Sequence, residues 1–85
     1  MKALSRGKKP DTLDRAVGSV FKDEIRYRGK TVKEVAEELY ISHKTMYTWI
    51  NGERRWALAN AVELADYLGV NIGAVITTAK ERMEE

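Results

Sequence analysis

The chain has 85 residues, 15 Lys/Arg against 13 Asp/Glu, a formal net charge of +2, one His and no Cys. That length supports a single small core, and the missing thiols exclude a disulfide framework and a thiolate metal site. No apolar run is long enough to span a bilayer and no secretory leader pattern opens the chain, so a cytoplasmic location is expected.

Residues 1–10, MKALSRGKKP, have no apolar period and four basic side chains, and read as a flexible basic arm before a domain over 11–85. Pro10-Asp11-Thr12 is a helix-start signal, and Leu13, Ala16, Val17, Val20, Phe21 and Ile25 trace one face of a first helix that stops at Gly29. Thr31-x-x-Glu34 is a capping box opening a second helix over 32–39, with Val35, Ala36 and Leu39 inward. The apolar phase changes at Tyr40-Ile41-Ser42. Ser42 is an N-cap for a third helix over 43–50, whose inner positions are Met46, Trp49 and Ile50. Gly52 lets the chain leave that helix, and Glu53-Arg54-Arg55 forms an exposed loop. A fourth helix over 57–68 places Leu58, Ala61, Val62, Ala65 and Leu68 inward and stops at Gly69. Asn71 caps a fifth helix, about 72–84, with a stripe of Ile72, Val75, Ile76, Ala79 and Met83. The fold class is therefore all-α, a compact five-helix domain, with no internal repeat.

Thr31 to Gly52 is the most informative stretch: two short helices joined by a turn of three residues, the second with a polar outer face of His43, Lys44, Tyr47, Thr48 and Asn51. Such a helix suits the major groove of DNA, although any helical hairpin keeps one side wet. Charge is also unevenly distributed. Residues 1–30 carry nine Lys/Arg against four Asp/Glu, 31–56 four against four, and 57–85 two against five. A basic first segment steers a domain toward phosphate.

From Thr31 to Ile76 the ordered set Val35-Ala36, Leu39, Ile41-Ser42, Thr45-Met46, Trp49, Gly52-Glu53-Arg54-Arg55 and Leu64-Ala65-Asp66-Tyr67-Leu68-Gly69-Val70 resembles the Xre/Cro/phage-repressor (lambda repressor-like) helix-turn-helix family. The resemblance implies a sequence-specific regulator of transcription that binds double-stranded DNA at the nucleoid, Cro- or repressor-like and of phage or prophage type; a domain this small buries limited DNA surface, so a homodimer on two half-sites is expected. His43, Lys44, Tyr47 and Thr48 are then the base-reading residues. Lys44 suits guanine O6 and N7, His43 donates or accepts according to tautomer, and Tyr47 and Thr48 suit a thymine methyl or a phosphate. Phosphate contacts fall to Thr31, Val32 and Lys33 at the start of the second helix, to Ser42 and Thr45, to Asn51, Arg54 and Arg55, and to Lys8 and Lys9 of the arm. The fifth-helix stripe of Ile72, Val75, Ile76, Ala79 and Met83 is the dimer candidate.

Two departures from the family pattern stand out. Tyr40 occupies a turn position where the family usually has Gly, which demands either a left-handed backbone or a different turn. Ile25 and Ile50 stand where relatives commonly pair an Arg with a buried Glu, so an apolar core contact is expected in place of the ion pair. Trp49 falls on the buried face beside Met46, and Trp56 is expected in or near the core rather than stacked on bases.

Catalysis finds little support. A lone His without Cys offers no nucleophile pair or multi-His metal set, Glu34, Glu37 and Glu38 read as solvated helix surface, and there is no Gly-rich phosphate loop. No cofactor, metal, small-molecule substrate or membrane is expected. The alternative from another class is a protein-interaction module, antitoxin-like or adaptor, in which the acidic C-terminal helix holds a partner and DNA binding is secondary.

Overall fold

A computed structural model describes residues 11–84, which form five helices: α1 Leu13–Tyr27, α2 Val32–Glu38, α3 His43–Ile50, α4 Leu58–Leu68 and α5 Ile72–Glu84. Each of the first three begins where a side chain satisfies an otherwise orphaned amide. The Thr12 hydroxyl accepts from the Arg15 amide at 3.1 Å. Thr31 accepts from Glu34 N at 3.1 Å while Glu34 Oε1 accepts from Thr31 N at 2.8 Å, closing the capping box. Ser42 Oγ accepts from Thr45 N at 3.1 Å. Asn71 Oδ1 accepts from Ala74 N at 3.1 Å and starts α5 in the same way.

One cluster of buried side chains joins all five helices, with Phe21, Ile25, Met46, Leu64 and Val35 its largest fully buried members. α1 is the hub, packing against each of the other four helices. At Gly18 a Cβ would overlap the Ile50 main chain, so the α1 and α3 backbones nearly touch there. Ile25 and Ile50 are 1% and 4% exposed in that common core, so no charge is buried at these positions.

In three helices the apolar assignments need correction. Leu13 is 43% and Leu58 74% exposed, because each opens its helix at the rim of a surface groove and nothing packs over it. Leu64, at 1% exposure, fills the α4 core position instead, and Val62 is only half-buried. In α5, Val75 and Ala79 are core residues packed within the chain itself, so they leave the dimer candidate face. Arg82 pins this helix to α1, its guanidinium donating to Ser19 Oγ at 2.9 Å and pairing with Asp23 at 2.8 Å. Ile72, Ile76 and Met83 remain partly exposed.

Candidate nucleic-acid interface

α2 and α3 pack against each other and are joined by Leu39–Ser42, the tight connection that defines the motif. Tyr40 takes φ 59°, the single positive value outside glycine among the described residues, and its side chain is 96% exposed. The turn thus keeps its left-handed residue despite carrying a side chain there. Ile41 N donates to Ala36 O at 2.9 Å, which satisfies a carbonyl at the end of α2.

Burial of Met46, Trp49 and Ile50 fixes the rotation of α3. The opposite side then carries His43, Lys44, Tyr47 and Thr48 at i, i+1, i+4 and i+5, a continuous patch over the first two turns. Lys44 is exposed and forms no ion pair with another described residue, and Tyr47 is 44% exposed. Thr48 is half-buried and its hydroxyl donates to Thr45 O at 2.7 Å. His43 does not stand alone. Its Nε2 lies 3.2 Å from Glu37 Oε2, across the turn on α2.

The backbone-contact candidates fall into two groups flanking this patch. At the start of α2, Val32 and Lys33 hold the first amides of the helix, which have no partner within it. Thr31 is otherwise engaged, since both its amide and its hydroxyl serve the capping box. Ser42 and Thr45 are partly engaged too, the Ser42 hydroxyl donating to Thr45 Oγ1 at 2.9 Å. After α3, Asn51 is its C-cap and Gly52 turns the chain at φ 75°, with Glu53 N donating to Thr48 O at 2.8 Å. Arg54 and Arg55 follow, both exposed and neither paired with another described residue. Lys8 and Lys9 lie outside the described residues.

The end of that loop is anchored. Trp56 N and Nε1 donate to Asp14 Oδ1 and Asp14 O at 3.0 and 3.2 Å, and its ring packs on Trp49 and Phe21 with centroids 5.4 and 5.1 Å apart. Trp56, half-buried, is therefore a clamp between α1 and the exit from α3, and Trp49, 8% exposed, is a core residue. A second clamp joins the far ends of α2 and α4: Tyr67 OH donates to Glu38, whose other oxygen lies 3.7 Å from Lys30 Nζ. The hydrogen bond to Glu38 holds the Tyr67 proton and raises its pKa, and the hydrogen bond with Tyr67, aided by the Glu38 charge, raises that of Lys30.

A two-helix motif with a capped, outward-facing second helix, seated on a small helical core, defines a helix-turn-helix DNA-binding domain. The family model for the Cro/C1-type HTH DNA-binding domain matches residues 23–81, and the chain belongs to that family. A comparison with proteins of curated function finds no match. Sequence periodicity placed the outer face of α3 but missed Glu37, which looked like solvated surface. Its six-residue separation from His43 becomes a contact only once the turn folds α3 back on α2.

Proposed function

We propose that this protein is a sequence-specific transcriptional regulator, Cro- or repressor-like and of the kind phages and prophages encode, which reads the major groove of duplex DNA with α3. The observation that carries the proposal is the uninterrupted outer face of His43, Lys44, Tyr47 and Thr48 on a helix whose inner face is locked by Met46, Trp49 and Ile50. Val32 and Lys33 on one side, and Asn51, Arg54 and Arg55 on the other, hold the phosphates, with Ser42 and Thr45 at the helix start. Lys8 and Lys9 add charge to the same backbone from the arm. Acting on DNA, the protein works in the cytoplasm at the nucleoid.

Small domains gain specificity by pairing on two half-sites about one helical turn apart. The pairing face supported by burial is the groove of about 160 Å³ lined by Leu13, Val17, Trp56, Leu58, Ile72 and Ile76. Ile72 and Ile76 are what remains there of the α5 stripe. No α3 residue lines the groove, so pairing through it leaves the reading helix free.

Binding to mixed and selected duplexes, measured against salt, tests the reading. Lys44→Ala should lose about 1–3 kcal/mol of discrimination at one base pair, while Arg54→Ala or Arg55→Ala should weaken all sequences alike and lower the salt slope by about 1. Absence of salt-dependent retention on duplex DNA would favour a protein-interaction module instead.

A further inference from the structure

We propose that Glu37 is a specificity-determining residue of the reading surface, a positioning residue that fixes the hydrogen-bond polarity of His43 so that the pair selects an exocyclic amino group on the DNA. The proposal rests on the DNA-reading function above and deepens it.

The argument starts from the 3.2 Å separation of His43 Nε2 and Glu37 Oε2. A carboxylate oxygen accepts hydrogen bonds and never donates, so an imidazole lone pair at that distance would be repelled. The contact therefore favours the tautomer that carries its ring proton on Nε2. A singly protonated imidazole then presents a lone pair at Nδ1, and an acceptor is what it offers to a base edge. Glu37 reinforces the same preference, because its half-exposed carboxylate also only accepts. The contact with Glu37 thus leaves His43 as an acceptor, with Lys44 the charged donor beside it. In the major groove the amino groups that meet acceptors are adenine N6 and cytosine N4, whereas guanine O6 and N7 and thymine O4 require donors. His43 accordingly selects adenine or cytosine, and Lys44 meets an acceptor beside it, guanine O6 or N7, thymine O4 or adenine N7.

Two measurements on the full chain at pH 8, where an ordinary imidazole carries one proton, test this. The first is the ring nitrogen spectrum of ¹⁵N-histidine-labelled protein without DNA. A proton on Nε2 in the parent and a mixed tautomer in Glu37→Gln are expected, and a proton on Nδ1 in the parent would overturn the proposal. The second is selection of bound duplexes from a random pool by the parent, His43→Ala, Glu37→Gln and the double variant. The parent should favour an amino-bearing base roughly tenfold at one position per half-site. Both variants should lose that preference at the same position, keep the others, and combine non-additively. A Glu37→Gln variant that retains the parent's preference there, or weakens every sequence uniformly, overturns the role assigned to Glu37. A parent that selects no sequence overturns the DNA-reading function itself, and the tautomer spectrum separates the two failures.

Discussion

Tyr40 shows how a single residue records a demand of the fold. The α2–α3 turn needs a left-handed backbone at this position, and a side chain with a Cβ adopts φ 59° at a cost of roughly 1–2 kcal/mol. Nothing repays that locally, because the ring is 96% exposed. Tyr40→Gly should therefore stabilise the domain by up to about 1 kcal/mol, after the greater freedom of glycine in the unfolded chain is allowed for. Urea denaturation reads this directly, and a lower midpoint for the variant would show that the Tyr40 ring contributes contacts of its own. The departure was visible in the sequence as a missing Gly. That the chain accepts the strain instead of changing the turn required the backbone angles.

Among the elements, α2 is the shortest, at seven residues, and it depends on neighbours for its placement. Its start is held by the capping box and its end by the Lys30–Glu38–Tyr67 network. Both Lys30 and Tyr67 have pKa values raised in the folded state, so folding favours their protonated forms. The contribution is present below the unfolded pKa values near 10 and is lost as pH rises through the raised ones. Thermal unfolding followed from pH 8 to 11.5 should show a steeper alkaline loss in the parent than in Tyr67→Phe, which lacks the phenolic proton. Equal slopes would mean that the network contributes nothing to stability. The helix boundaries themselves were legible from caps and period: Thr31 and Ser42 open their helices as expected, and Gly69 closes α4.

For the whole molecule the decisive feature is which apolar surface the single chain fails to cover. Leu58 and Leu13 stand at the rim of a groove that Ile72 and Ile76 help to line, while Val75 and Ala79 are consumed by the core. Leu58→Asp should leave the fold intact, since the side chain is 74% exposed, and should reduce self-association several-fold in sedimentation equilibrium at micromolar concentration. A parent that is monomeric at high micromolar concentration without DNA would remove this face from the interface. The surplus positive charge of the first thirty residues belongs largely to the arm, because within the described residues Arg15, Arg28 and Lys30 each face a carboxylate.

The sequence by itself determined five helices, their caps, the buried face of α3 and hence the identity of its outward residues, because period and capping are local properties of the chain. Only the tertiary structure decided which of those residues are already engaged and which apolar stripe is spent. Glu37 meets His43 only after the turn folds, Trp56 meets Asp14 across 42 residues, and α5 buries Val75 and Ala79 only because α1 lies beneath it. Each of these contacts depends on the relative placement of helices, which no periodicity within one helix encodes.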